Sequence, residues 1–135
     1  MLRFTQSVLL TALIGSALVS ADGGFAQSCS SWGGGDGDGT LIAQCEGKQY
    51  SISLDQCLGN HNGQLVGQYN GGFGGSCNDF EYSGDSFYAT CKNDAGNYGS
   101  TGININNIIG FNNPNGLSCF GFYADPCLDG GCDGL

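Results

Sequence analysis

Eight cysteines, a lone histidine and several clusters of Asn, Asp, Ser and Gly are the residues of this chain whose types and spacing are able to do chemistry. Cys29, Cys45, Cys57, Cys77, Cys91, Cys119, Cys127 and Cys132 are even in number, include no C-x-x-C pair, and leave His61 away from any closely spaced pair. That pattern reads as a disulfide framework, because structural zinc is held by four ligands that usually come in close pairs. A calcium loop at Gly33–Gly39 would need a glutamate further on at a position that has none, so this stretch reads as a hairpin loop tip. No metal and no cofactor are expected. Catalysis is not expected either. Hydrolysis by a carboxylate pair takes two acids facing across a cleft, yet ten of the 12 acids are Asp and most sit in Gly-rich turns where a carboxylate is solvated. A nucleophile triad would have only His61 as base, and there is no G-x-S-x-G elbow. By themselves, the Asn, Asp and Gly clusters read as turn formers, which these residues are in most loops.

The elements that hold these residues follow from composition and pattern. Charged side chains make up 11% of the 135 residues and apolar ones 40%, which is the composition of a folding chain and not of a disordered one. A formal charge of −9 argues against nucleic acid and anionic membranes as partners, since phosphate recognition needs clustered Lys and Arg. Arg3, an apolar run through residues 4–20 and the small residues Val19-Ser20-Ala21 have the layout of a signal peptide over residues 1–21, so a secreted, extracellular protein beginning at Asp22 is expected. The apolar run is short for a bilayer span, and no membrane insertion is expected. No N-x-[ST] sequon occurs.

The chain then says the same thing twice. Phe25-Ala26-Gln27-Ser28-Cys29 is echoed by Phe73-Gly74-Gly75-Ser76-Cys77, and Leu41-Ile42-Ala43-Gln44-Cys45 by Phe87-Tyr88-Ala89-Thr90-Cys91. Leu41, Ala43 and Cys45 would share one strand face, as would Phe87, Ala89 and Cys91. An aromatic follows each second cysteine, Tyr50 and Tyr98. Next, Leu54, Cys57 and Leu58, and likewise Ile105, Ile108 and Ile109, recur at helical spacing; Asp55 and Asn106 are expected to cap these turns and Gly59 and Gly110 to end them. Each repeat is thus a hairpin, a further strand, a helical turn and a polar loop, about residues 23–67 and 71–120. Each alone is too small for a secure core, so the two are expected to share or exchange strands. The Gly- and Asn-rich segment 67–75 reads as the hinge, and residues 121–135 as a Cys-containing extension. Trp32, Phe80, Tyr82 and Phe87 lie on or beside strands and read as packing, not as sugar platforms.

This order of features resembles the cyanovirin-N homology family of lectins over about residues 23–120. The resemblance rests on Phe-x-Gln-Ser-Cys at 25–29, Thr-Leu-Ile-Ala-Gln-Cys-Glu at 40–46, Ser-Ile-Ser-Leu-Asp-Gln-Cys-Leu-Gly-Asn-His-Asn-Gly at 51–63, Cys-Lys-Asn-Asp-Ala-Gly-Asn-Tyr at 91–98, and Ile-Asn-Ile-Asn-Asn-Ile-Ile at 103–109. It implies an all-β fold of pseudo-symmetric tandem repeats with exchanged strands and short helical turns, stapled by disulfides. It also implies a monomer or strand-swapped dimer whose partners are glycans of the high-mannose type. On the family pattern Cys29 pairs with Cys45 and Cys77 with Cys91. The other four cysteines leave two arrangements open: Cys57–Cys119 with Cys127–Cys132, or Cys57–Cys127 with Cys119–Cys132.

The family's two sites carry over by position. The central one falls on Gly59, Asn60, Asn62, Gly71-Gly72, Gly75, Ser76, Lys92, Asn93, Asp94 and Gly96. Two departures mark it: a family glutamate is replaced by Gly75, and a family arginine that clamps the sugar by Asp94. The other site falls on Gly24, Gln27, Ser28, Glu46, Lys48, Asn112, Asn113 and Asn115, with a shorter loop between Cys45 and Tyr50 and a longer one at 110–116. Two sites on one chain would raise apparent affinity for clustered glycans. The competing expectation is a secreted disulfide-rich scaffold that binds a protein partner and has lost sugar binding.

Overall fold

Residues 23–34, 39–113 and 115–127 are described by the computed structural model; the expected signal peptide, Asp36 and Asp38 of the Gly-rich loop, Pro114 and Cys132 lie outside them. In the first half, β1 (Cys29–Gly34), β2 (Thr40–Cys45) and β3 (Lys48–Ser53) form an antiparallel sheet, followed by a 3₁₀ turn at Leu54–Gln56 and a hairpin of β4 (Leu58–His61) and β5 (Gln64–Gly67). The second half repeats this order with β6 (Cys77–Ser83), β7 (Ser86–Lys92) and β8 (Tyr98–Asn104), a 3₁₀ turn at Ile105–Asn107, and β9 (Gly110–Asn112) with β10 (Gly116–Cys119). Short strands β11 (Phe122–Tyr123) and β12 (Asp125–Pro126) then pair with β10 and β3.

The alternating strands bury the expected faces. Leu41, Ala43 and Cys45 point inward on β2, as do Phe87, Ala89 and Cys91 on β7, whereas Tyr88 is exposed. Ile42 is buried as well, so β2 is covered on both sides. The helical spacings are met by single tight turns: the Cys57 N–H donates to the Leu54 carbonyl and the Ile108 N–H to that of Ile105, each at 3.0 Å. Leu54, Cys57, Leu58, Ile105 and Ile109 are thereby fully buried.

The caps differ from the expectation. Ser53 and Asn104 occupy the N-cap positions, and the Asn104 side chain accepts from the Asn106 N–H at 2.8 Å. Asp55 and Asn106 reach further. The Asp55 carboxylate accepts from the Gly74 N–H at 2.7 Å, and Asn106 Oδ1 from the Ala26 N–H at 2.9 Å. Since Gly74 and Ala26 are equivalent positions in the two 3₁₀ turns Phe73–Gly75 and Phe25–Gln27, these side chains latch each helical turn to the start of the other half. Gly59 and Gly110 do not end the turns but lie within β4 and β9.

The halves exchange hairpins. β4–β5 packs against β7 and β8, with the Leu65 N–H donating to Thr101 Oγ1 at 3.2 Å. β9–β10 packs against β3, where the Tyr50 and Phe111 rings meet edge-on at 5.3 Å between centroids. One apolar cluster, drawn from Phe25, Leu41, Ile52 and Leu58 as much as from Phe73, Phe87, Ile105 and Leu117, serves both halves. Trp32, Phe80, Tyr82 and Phe87 belong to its packing: Trp32 stacks edge-on against Phe25 and donates to the Gly84 carbonyl, while Phe73, Phe80, Tyr82 and Phe87 contact one another.

Cys29 faces Cys45 and Cys77 faces Cys91 across their hairpins, and both pairs are disulfides. Cys57–Cys119 is the third, which overturns the alternative that sends Cys57 to Cys127 and Cys119 to Cys132. The physical reason is the exchange: β10 returns Cys119 to the buried turn that carries Cys57. Cys127 is also disulfide-bonded. Within segment 67–75, expected as the hinge, residues 68–72 are strapped down: the N–H groups of Gln68, Asn70 and Gly72 donate to the carbonyls of Cys57, Gln56 and Asp55 at 2.8–2.9 Å. The strap lies so close that a Cβ at Gly71 would collide with the Leu58 carbonyl oxygen, which accounts for glycine there. No helix among the described residues is long and apolar enough to cross a membrane.

Candidate functional site

The central candidate residues come from three elements that the hairpin exchange brings together: the β4–β5 turn, the segment before β6, and the loop 93–97 between β7 and β8. The β4–β5 connection is a two-residue turn of Asn62 and Gly63 at φ 51° and 87°, the left-handed conformation that an Asn-Gly pair adopts most readily. Asn60, just before this turn on β4, holds the three elements together. Its Nδ2 donates to Ser76 Oγ and to the Lys92 carbonyl, and its Oδ1 accepts from the Gly63 N–H, all at 2.8 Å. Asn62 Oδ1 accepts from the Asp94 N–H at 2.8 Å and so joins the turn to the loop. Within the loop, Asn93 Oδ1 accepts from the N–H groups of Ala95 and Asn97 at 3.0 and 2.9 Å. The loop closes through backbone bonds from Asn93 to Asn97 and from Gly96 to Asn93, each at 2.9 Å. The Ser76 carbonyl accepts from the Lys92 N–H at 2.9 Å.

Asn60, Asn62, Ser76, Lys92, Asn93, Asp94 and Gly96 therefore form one contiguous polar surface. Their chemistry divides in two. The Asn60 amide is committed at both ends to holding the framework, and the Asn62 and Asn93 oxygens are committed to loop amides. Lys92, Asp94 and Gly96 are exposed around that framework. Lys92 Nζ lies 5.9 Å above the centre of the Tyr98 ring, its cross-strand neighbour.

Beside this framework is a shallow depression of about 140 Å³, bounded by Asn62, Gly63, Gln64, Asn93, Asn97, Tyr98, Gly99 and Ser100. Of these, Asn62 and Asn93 belong to the site expected from sequence; Gln64, Asn97, Tyr98, Gly99 and Ser100 do not. The signal that points to them is register: Lys92 pairs with Tyr98 and Cys91 with Gly99, so the start of β8 faces the β4–β5 turn. His61 is exposed on β4 opposite Gln64.

The other set of candidates is arranged differently. The β2–β3 connection is a two-residue turn of Glu46 and Gly47 at φ 48° and 85°, where the second half has the five-residue loop 93–97. Glu46 meets the β9–β10 loop through a 3.1 Å bond donated by Asn113 Nδ2. Gln27 and Ser28 lie at the end of the first 3₁₀ turn, which is joined to the residue just before β9 by the bond from the Phe25 N–H to the Ile109 carbonyl at 2.9 Å. Asn112, Asn113 and Asn115 are exposed at the tip of β9–β10. Beneath them the framework is aromatic. Phe111 stands opposite Leu117 as Asn60 stands opposite Leu65, and it packs on Tyr50 in place of the Asn60–Ser76 bond. Tyr50 and Tyr98 are also not equivalent: Tyr50 is buried in the position that Thr101 takes in the second half, and Tyr98 is exposed.

The CVNH domain model matches residues 25–116. Among solved structures, the CVNH protein of Gibberella zeae is 26% identical, with a TM-score of 0.57 over 71% of this chain and 96% of that one. Microvirin in complex with mannobiose is also 26% identical, with a TM-score of 0.56 over 72% of this chain and 98% of that one. A MoCVNH3 variant in complex with (N-GlcNAc)4, at 18% identity, shares the fold with a TM-score of 0.63 over 72% of this chain and 97% of that one. A search of curated proteins finds no match. With its two half-sheets, exchanged hairpins and a domain match covering more than half of its length, the chain belongs to the cyanovirin-N homology family of lectins.

Proposed function

We propose that the protein is a secreted lectin that binds mannose-type oligosaccharides, without catalysis, through the polar surface around the β4–β5 turn and loop 93–97. The observation that carries this reading is the convergence of Asn60, Asn62, Ser76 and Asn93 into one hydrogen-bonded framework that presents Lys92, Asp94 and Asn97 to solvent. Such a surface suits a neutral ligand with many hydroxyls, each both donor and acceptor. The surplus of acidic residues disfavours anionic ligands and leaves neutral sugars as the better fit. Microvirin, solved with mannobiose, supports the mannose class.

Secretion is supported by the basic start and apolar run of residues 1–21 and by the disulfide bonding of Cys29, Cys45, Cys57, Cys77, Cys91, Cys119 and Cys127. The central surface is the primary site in this reading, because the first half has only a two-residue turn where the second has a five-residue loop with Asp94, Gly96 and Asn97 exposed. The test is a glycan array probed with the oxidised chain from Asp22, including high-mannose structures. Binding to mannose-terminated glycans that free mannobiose competes away is the expected result. Folded protein that binds no glycan would favour a protein-binding scaffold instead.

A further inference from the structure

The depression at the start of β8 owes its space to one residue. Gly99 lies in an ordinary strand conformation, paired with Cys91, and a Cβ built there would meet nothing within 4 Å. Its equivalent in the first half, three residues after Cys45 on the paired strand, is Lys48. The missing side chain leaves an opening bordered by the exposed residues Gln64 and Asn97 and by the β8 segment Tyr98–Ser100. Tyr98 and Ser100 alternate with Gly99 along β8, so their side chains lie on the other face of the strand, where the Lys92 ammonium lies over the Tyr98 ring. The floor and one wall are the Asn62–Gly63 turn and Asn93, whose side-chain oxygens are already bonded to loop amides and hold the shape.

We infer that this depression is a separate subsite for a single pyranose unit of a branched oligosaccharide, with Gly99 as the residue that opens it and Gln64 and Asn97 as its side-chain contacts. The inference rests on the lectin reading of the adjoining surface. A volume of about 140 Å³ lies well below the roughly 300–1,000 Å³ of sites that enclose drug-sized ligands, so it takes one ring and not a whole glycan. Gln64 and Asn97 in its lining carry side-chain amides, which donate and accept as sugar hydroxyls do. Lys92, Asn93 and Asp94 belong to the neighbouring surface, and Asn62 and Asn93 form a wall common to both. A second sugar unit of the same glycan is thereby held next to the first, and binding two units of one ligand multiplies affinity.

The test titrates the oxidised full mature chain with mannobiose and with a branched high-mannose oligosaccharide, reading backbone amide shifts and affinity by calorimetry. The expected result with the branched glycan is shift changes at Gln64, Gly99 and Ser100 in addition to Lys92–Gly96. Gly99→Leu, which fills the opening without meeting a neighbour at its Cβ, abolishes the first group of changes, keeps the second, and lowers affinity for the branched glycan about tenfold, the worth of one or two lost hydrogen bonds. Gln64→Ala, an exposed change that leaves the strand intact, lowers it several-fold. If the wild-type protein binds while Gln64, Gly99 and Ser100 stay silent, or if Gly99→Leu and Gln64→Ala bind as tightly as wild type, the subsite is refuted and the lectin reading stands. If wild type binds neither probe, both fall together.

Discussion

Asn60→Ala removes three hydrogen bonds of 2.8 Å at once, to Ser76 Oγ, the Lys92 carbonyl and the Gly63 N–H. A net contribution of about 0.5–1.5 kcal/mol per bond, taken low for the bond to Lys92 because it is exposed, sums to about 2–3 kcal/mol of stability. For a domain of this size that is roughly 10–20 °C in Tm. Urea unfolding of the oxidised protein provides the assay, with the slope checked so that a shifted midpoint reports stability alone. Asn60→Asp is the informative companion. It retains an acceptor for the Gly63 N–H but turns an oxygen toward the Lys92 carbonyl, so it costs as much as Ala or more. Amide shifts of loop 93–97 should move in both variants without any ligand, because the tie between the β4–β5 turn and the end of β7 is gone. A loss below about 0.5 kcal/mol for Asn60→Ala, with loop shifts unchanged, would refute the reasoning that this side chain is framework. Loss of glycan binding in Asn60→Ala is then an effect on the geometry of the site and not the loss of a sugar contact.

Three further outcomes are expected. Replacing Cys57 and Cys119 together by Ser releases a loop with sequence separation 62 and is expected to cost about 4 kcal/mol, against about 3 kcal/mol for Cys77 and Cys91 with separation 14; denaturant midpoints compare the two. Gly71→Ala places a methyl group against the Leu58 backbone, and a destabilisation of at least about 2 kcal/mol is expected in thermal unfolding, since the neighbour is backbone and not a movable side chain. Asn113→Ala removes one exposed 3.1 Å bond to Glu46 and should change stability by less than about 0.5 kcal/mol. Glycan affinity should also stay within about twofold of wild type, because that half has only the turn Glu46–Gly47 where the second half has loop 93–97; a larger loss would place a working site there.

Much of the architecture is legible in the sequence because it is local. The alternation Leu41, Ala43, Cys45 and Phe87, Ala89, Cys91 names the inward faces, and these faces are buried as the period-2 pattern requires. Asn62-Gly63 marks a tight hairpin turn by composition alone. The i, i+3, i+4 spacing of Leu54, Cys57 and Leu58 marks a buried turn, but it does not distinguish a 3₁₀ turn from a longer helix. Asp55 and Asn106 look like caps for the same reason: a side chain's short-range chances are visible in the sequence, whereas its actual partners, Gly74 and Ala26, lie 19 and 80 residues away.

What the sequence by itself determined is the doubling of a β unit, the even set of cysteines behind a leader-like segment, the polar loops, and enough motif to suggest the family. Those depend on residue type and near-neighbour spacing. The tertiary structure decided that the halves exchange hairpins, that Cys57 meets Cys119, and that the Asn60 amide is spent on framework. It also decided that Tyr50 is buried while Tyr98 is exposed, and that Gly99 opens a depression. Each of these is set by which strand of one half lies against which strand of the other. That choice follows from filling a single core with both repeats, and no local pattern in either repeat records it.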